Sequence, residues 1–285
     1  MILVTGLPRS GTSWAGRMLC ASGELVYVNE PLNPERPYRG VLNARVEHRF
    51  QYICRDNEAA WLKPFQDTVS LRFRWHAELP WPPSPARYLK YAASFTHGRL
   101  TGRKALLDDP FALWSAEWFA DRLDCRVVIL TRDPVTFAGS WEHLGWTANP
   151  ADLLDQPLLL RDHPHLSALA QAPPDRLARI AALWKAAHES VLQMRHPNIR
   201  VVGYEELAAD PHFGFRSLYE WCGIPWTDRS AATITRSCTG PAEEAGFAWR
   251  GTSKTAFRPT DSRTAAARSR LSAADAERVS RLTLR

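Results

Sequence analysis

Near the start of the chain, Gly6-Leu7-Pro8-Arg9-Ser10-Gly11-Thr12-Ser13 has the spacing of G-x-x-x-x-G-K-[ST], with Thr12 where the lysine belongs. A short β-branched run, Ile2 to Thr5, precedes it, and a helical pattern from Ser13 to Ala21 follows. That context places a glycine-rich turn at a helix N-terminus, where backbone N–H groups and the helix dipole gather around an anion. The lysine that would reach the β- and γ-phosphates of a nucleoside triphosphate is missing, and Arg9 offers a cation from another point of the loop. The chemistry expected is phosphate binding without a magnesium triphosphate.

The elements that must position this loop alternate along the chain. Strands are expected at 1–6, Leu25 to Val28, Ala105 to Leu107, Arg126 to Thr131 and Ile199 to Val202. Helices are expected at Phe111 to Leu123, from Pro134 with Asp133 as N-cap, at Asp175 to Met194, at Phe213 to Trp221 and at Ser272 to Leu282 with Ser272 as N-cap. Such alternation predicts an α/β fold: a single domain over 1–285, with a central parallel sheet flanked by helices and a P-loop-like phosphate-binding loop after the first strand. Ligands of such sheets sit at the carboxyl ends of the strands. Residues 31–103, with helical patches around 57–66 and 86–98, read as an insertion or lid, as does the proline-punctuated stretch 145–173. Residues 222–265 read as mostly irregular.

Composition excludes several classes. With 285 residues, 45% of them hydrophobic and 23% charged, the chain can bury a full core without staples. Five cysteines without a C-x-x-C pair suggest neither a disulfide framework nor a zinc site. No apolar run approaches a membrane span, and Met1 to Gly6 reads as a buried strand rather than a leader, so a cytoplasmic chain without membrane insertion is expected. The net charge of +6 lies wholly in the last 36 residues, which hold nine basic and three acidic side chains. The rest is neutral, which argues against a broad nucleic-acid surface. His163-Pro164-His165 lacks the partners of a metal site, and no metal is expected.

The segment Pro8-Arg9-Ser10-Gly11-Thr12-Ser13-Trp14 resembles the 5′-phosphosulfate loop of sulfotransferases that use 3′-phosphoadenosine 5′-phosphosulfate (PAPS), P-[KR]-S-G-T-[TS]-W. The resemblance implies that Arg9, Ser10, Gly11, Thr12 and Ser13 hold the 5′-phosphate, with Arg9 near the bridging oxygen, and that Trp14 stacks on adenine. Arg132 at a strand end, with Ser140 eight positions on, resembles the family's 3′-phosphate site. Tyr204-Glu205-Glu206-Leu207 resembles a segment whose tyrosine lies beside the adenine. In the basic C-terminal stretch, Arg250, Lys254 and Arg258 are candidates to close over the 3′-phosphate.

Sulfuryl transfer to a hydroxyl needs in-line geometry, charge stabilisation and a base. Glu30, in Asn29-Glu30-Pro31-Leu32, resembles the base of carbohydrate-type members and follows the second strand. Asp108 and Asp109 are second candidates for the base, with His97 and His143 behind them. The resemblance fails at one place: Asp108 stands where many bacterial members carry a lysine, so a cation is missing that Lys90, Arg103 or Lys104 would have to replace. The expectation is a PAPS-dependent sulfotransferase acting on a small-molecule or carbohydrate acceptor. Two alternatives stay open: a P-loop kinase-like phosphotransferase, and a non-catalytic nucleotide-binding protein on the same scaffold.

Overall fold

A computed structural model describes residues 1–78, 84–239 and 270–284. Five parallel strands run in the order β2-β3-β1-β4-β5: β1 Ile2–Gly6, β2 Leu25–Asn29, β3 Lys104–Asp108, β4 Arg126–Thr131 and β5 Ile199–Gly203. The central strand β1 is buried along its whole length, as a strand covered on both faces must be. Alternate residues feed two cores. Leu3, Val28, Leu107, Val127 and Ile129 point into the larger one, and Ile2, Val4, Leu106, Val128 and Leu130 into the smaller. The register pairs Asn29 with Asp108, Gly6 with Leu130 and Thr131 with Gly203. Leu7, Glu30, Asp109, Arg132 and Tyr204 therefore all leave the sheet at one edge.

The expected caps are in place. Asp133 Oδ1 accepts from the Thr136 amide at 2.9 Å to start helix Pro134–His143. Asp175 Oδ1 accepts from Ala178 at 3.0 Å to start helix Arg176–Gln193, and its other oxygen takes Arg278 of helix Ala273–Thr283 at 2.8 Å. Ser272 caps that last helix.

Three stretches differ from the sequence expectation. The single helix expected over 111–123 is a 3₁₀ turn, Pro110–Ser115, followed by helix Ala116–Arg122. The stretch 145–173 holds short helices, Ala151–Leu154, Pro157–Asp162 and the 3₁₀ segment Pro164–Gln171. Its prolines open these turns rather than breaking them, and Leu153, Leu159 and Leu166 are buried. A helix, Asp228–Thr239, stands in the region read as irregular. Its Thr- and Ser-rich sequence hides it, but Thr227 and Ser230 exchange hydroxyl-to-amide bonds at 2.9 and 3.1 Å, a reciprocal cap without the usual glutamate.

Residues between β2 and β3 are part of the larger core. Leu32, Phe50, Ile53 and Phe65 are buried in it. Helix Pro85–Leu100 lies against β2 and buries Phe95. Its close approach depends on Gly98, where a Cβ would overlap Val26 Cγ2 and lie 2.8 Å from Leu71 Cδ1. No helix among the described residues is long and apolar enough to cross a membrane.

Gly98→Ala is expected to destabilise the protein by about 1–3 kcal/mol, because the added methyl has no space to enter. Urea titration checks this; an unchanged midpoint would mean that the helix does not seat on β2 as described.

Candidate functional site

The loop after β1 is shaped by backbone that few residues adopt. Gly6 (φ 148°) leaves the strand directly against the Leu130 carbonyl, where a side chain would collide. The Ser10 amide donates to the Leu7 carbonyl at 3.0 Å, closing a turn with Arg9 at φ 79°. A non-glycine residue there stores roughly 1–3 kcal/mol of strain unless its surroundings hold it. They do: Arg132 Nη1 donates to the Arg9 carbonyl at 2.7 Å, and Trp141 Nε1 to the Pro8 carbonyl at 2.9 Å. Gly11 (φ 99°) then starts helix Thr12–Leu19, seated so close to Tyr204 that a Cβ would lie 2.5 Å from the ring. That helix has no side-chain cap and no acid in its first turn, so its leading amides are available to an anion.

Arg132 and Ser140 meet the same loop. Arg9 Nε donates to Ser140 Oγ at 3.2 Å. Arg132 Nε donates to Thr136 Oγ1 at 3.2 Å, and its guanidinium lies 5.1 Å from the centre of the Tyr204 ring. Thr136 in turn donates to Glu205 Oε1 at 3.0 Å, while the Asp133 amide donates to Glu205 Oε2 at 3.2 Å. Trp184 Nε1 takes the Arg132 carbonyl at 2.8 Å. The two motifs expected to hold phosphates thus form one bonded unit across the ends of β1, β4 and β5. Ser10, Thr12 and Ser140 are buried and Ser13 is half-buried.

Trp14 is a different case. It is 2% exposed, packs edge-to-face on Tyr204 and Phe215, and donates Nε1 to Ser237 Oγ at 3.3 Å. The resemblance implies a stack on adenine, but here the indole belongs to the smaller core and shows no open face. Tyr204, at 3% exposed, is likewise a floor beneath the loop rather than a wall. The candidates Arg250, Lys254 and Arg258 lie outside the described residues.

The ends of β2 and β3 bring three carboxyl groups together. Glu30 sits at φ 47°; its amide donates to the Asp108 carbonyl at 2.7 Å, and Asn33 Nδ2 holds its Oε2 at 2.7 Å. Asp109 is a structural acid: its two oxygens accept from the Phe111 amide at 3.0 Å and the Leu32 amide at 2.6 Å. Burial pushes its carboxyl well above the usual range, and with both oxygens taken by backbone amides it has none to offer an acceptor. Asp108 is wholly buried; Oδ2 accepts from the Tyr27 hydroxyl, and Oδ1 has no hydrogen-bond partner among the described residues. Burial pushes its carboxyl up to about 6, while the Tyr27, Ser13 and Thr12 hydroxyls pull it down and the Glu30 charge pushes it up. A Cβ at Gly16 would lie 3.4 Å from Asp108 Cβ and 3.1 Å from the Tyr27 ring, so the glycine lets helix Thr12–Leu19 pack closely over this position.

Of the cations that could replace the missing lysine, Arg103 and Lys104 stand at the amino end of β3, far from this edge. Lys90 projects from helix Pro85–Leu100, on the side of the site. His97 and His143 are exposed in the last turns of their helices. Sequence reasoning missed Tyr27, whose place two residues before Asn29 on β2 puts both on one face. It also missed Asn33, Thr136 and Glu205, each within four residues of a motif residue. Among the described residues no cluster of His, Cys, Asp and Glu could hold a metal ion.

A family model described as "Sulfotransferase family" matches residues 2–228, from the first residue of β1 to the start of helix Asp228–Thr239. The chain belongs to the sulfotransferase family. Similar solved structures include the sulfotransferase domain from the curacin biosynthetic pathway (14% identity, 81% of this chain and 76% of that one, TM-score 0.42). Sulfotransferase STF9 from Mycobacterium avium is 17% identical, over 82% of this chain and 66% of that one, at a TM-score of 0.39. The sulfotransferase domain from the Synechococcus PCC 7002 olefin synthase is 14% identical, over 81% and 75%, at 0.38. No curated protein matches the chain. Within the sulfotransferase fold the acid at 108 is the feature with a measurable cost. The folded state raises its pKa above that of the unfolded chain, so folding favours the protonated form. The contribution of Asp108 to stability therefore falls as pH rises from about 4 to about 6 and stays lower above that.

Asp108→Asn removes this penalty and keeps an acceptor for Tyr27. The variant is expected to gain about 1–3 kcal/mol over the wild type at pH 7.5 and little at pH 4. Thermal unfolding across that range checks it; the same difference at both pH values would mean that Asp108 does not titrate there.

Proposed function

We propose that this sulfotransferase moves the sulfuryl group of PAPS to a hydroxyl of a small-molecule or carbohydrate acceptor. The observation that carries the reading is the single bonded unit of Arg9, Arg132 and Ser140 beside the uncapped helix start at Gly11. It offers amides and cations to two phosphate groups on one ligand, and a triphosphate lysine is absent. The left-handed Gly11 and the acid-free first turn fit an anion lying directly on the backbone.

In this reading the amides of Gly11 to Ser13, with the Ser10, Thr12 and Ser13 hydroxyls, hold the 5′-phosphate. Arg132 and Ser140 hold the 3′-phosphate, and Arg250, Lys254 and Arg258 are the residues the resemblance would bring over it. PAPS supplies an activated sulfur: the acceptor oxygen bonds to it as the bond to the 5′-phosphate oxygen breaks, and the electron pair leaves on that phosphate. Arg9 offsets the charge that collects there. Glu30 takes the acceptor proton on Oε1, because Asn33 occupies Oε2. Its positive φ, which few non-glycine residues adopt, marks a backbone held in a strained turn at the end of β2.

The segments 31–103 and 145–173 form the acceptor side of one domain. Gln156 joins them, accepting from the Tyr52 amide at 2.8 Å and donating to the Phe50 carbonyl at 2.9 Å, and Tyr52 donates to Asp162 at 2.9 Å. The acceptor wall is therefore anchored in the core rather than hung from it.

Calorimetry with the desulfonated product PAP and with Mg-ATP tests the donor. Metal-independent binding of PAP, weakened about 10- to 100-fold by Arg132→Ala, is expected; binding of Mg-ATP alone would overturn the reading in favour of a kinase-like protein. Glu30→Gln is expected to lower kcat by about 100- to 10,000-fold while leaving the Kd for PAP unchanged. Full turnover in that variant would remove Glu30 from the chemistry.

A further inference from the structure

Thr136 stands at the centre of the contacts around Arg132. It is fully buried in the first turn of helix Pro134–His143. Three polar atoms surround its Oγ1: Arg132 Nε at 3.2 Å, Glu205 Oε1 at 3.0 Å and the Asp133 carbonyl at 3.0 Å. A hydroxyl has one proton to give and two lone pairs to receive. This one accepts from the guanidinium, so its own proton goes to one of the two oxygens. The carboxylate is the stronger acceptor of the pair. A hydroxyl that gives its proton to a charge becomes a better acceptor in turn, because bonds in series polarise one another. Glu205 therefore strengthens the hold of Thr136 on Arg132.

The glutamate is itself well placed for this. Its Oε2 accepts from the Asp133 amide at 3.2 Å, so each oxygen has a donor from the turn that follows β4. Tyr204, the residue before it, sets its ring centre 5.1 Å from the Arg132 guanidinium. Tyr204 and Glu205 leave β5 together at the start of helix Tyr204–Ala209 and meet Arg132 in two ways. The ring lies against the guanidinium, and the carboxylate works through Thr136 at its Nε edge. The Arg9 carbonyl takes Nη1 at 2.7 Å. A planar guanidinium held by a ring and at two of its nitrogens presents its charge in a fixed direction.

We propose that Glu205 is a positioning residue for the 3′-phosphate: through Thr136 it sets the plane of Arg132, and with it the margin by which the site prefers a 3′-phosphorylated nucleotide to one that carries only the 5′-phosphate. The proposal rests on the donor reading above and deepens it. An arginine makes two parallel bonds to a phosphate only when its plane faces the oxygens. A swing of the side chain therefore loses the 3′-phosphate, while the amides at the start of helix Thr12–Leu19 still receive the 5′-phosphate. If Glu205 only braced the ends of β4 and β5, its loss would weaken folding and leave this preference as it was.

Calorimetry of the full chain with PAP and with adenosine 5′-phosphate reads the preference, and thermal unfolding of each variant reads the brace. Glu205→Gln keeps the shape and removes the charge. It is expected to weaken PAP about tenfold, with the Kd for adenosine 5′-phosphate unchanged and the KM for PAPS raised at nearly constant kcat. Thr136→Val is expected to do the same and Thr136→Ser to keep wild-type binding. The double variant Glu205→Gln/Thr136→Val should be no worse than Thr136→Val alone, since the carboxylate then has nothing to act through. A Glu205→Gln variant that keeps the wild-type ratio of the two Kd values, whatever its melting temperature, overturns the proposal, and so do losses that add in the double variant. Should Thr136→Val fail to fold, the ratio in Glu205→Gln decides alone. A wild type that binds both nucleotides equally, or neither, is a different result: it removes the 3′-phosphate assignment of Arg132, and this proposal with it.

Discussion

The site depends on two side chains that take carbonyl oxygens from the phosphate loop. Arg132 holds the Arg9 carbonyl and Trp141 holds the Pro8 carbonyl. Without them the left-handed Arg9 and the glycines on either side would relax into one of many turn conformations, since nothing in the loop's own sequence enforces its shape. Both donors come from the β4–helix unit that Asp133 caps. The capping bond at the end of β4 therefore helps to fix the loop after β1 at the same edge of the sheet. Glu205 extends the hold to β5 by accepting from the Asp133 amide and the Thr136 hydroxyl.

The acidic edge stands apart from this clamp. Glu30 and Asp108 are joined through the β2–β3 ladder, and Tyr27, Asn33 and Ser13 fix their surroundings. The carboxyl groups there divide the work by environment. Asp109 spends both oxygens on backbone amides, Asp108 is buried, and Glu30 gives Oε2 to Asn33. Chemically alike groups thus become a cap, a buried acid and the candidate for the base.

Much of this was legible in the sequence, for identifiable reasons. Strand β4 was read to its last residue because Val127 to Leu130 is buried on both sides, which leaves an apolar run with sharp ends. Asp133, Asp175 and Ser272 announced helix starts because capping is local chemistry. The misses have the opposite character. The bond of Trp14 to Ser237, on helix Asp228–Thr239, spans 223 residues of the chain. Trp141 joining Pro8 spans 133 residues, and no local pattern records it. The burial of Asp108 beneath a helix that Gly16 lets settle closely is a property of packing rather than of spacing.

The strand order has a kinetic consequence. The central strand β1 is made first by the ribosome but finds its neighbours late: Thr5 donates to the Asp109 carbonyl 104 residues away, and β4 comes later still. Closing such long loops precedes any reward from the contacts they make, so a parallel sheet of this order assembles slowly. Until β3 and β4 flank it, the Gly6 to Ser13 segment is an ordinary polar loop with no affinity for anything. The shaped loop is thus a late product of assembly, because the side chains that hold it arrive with β4.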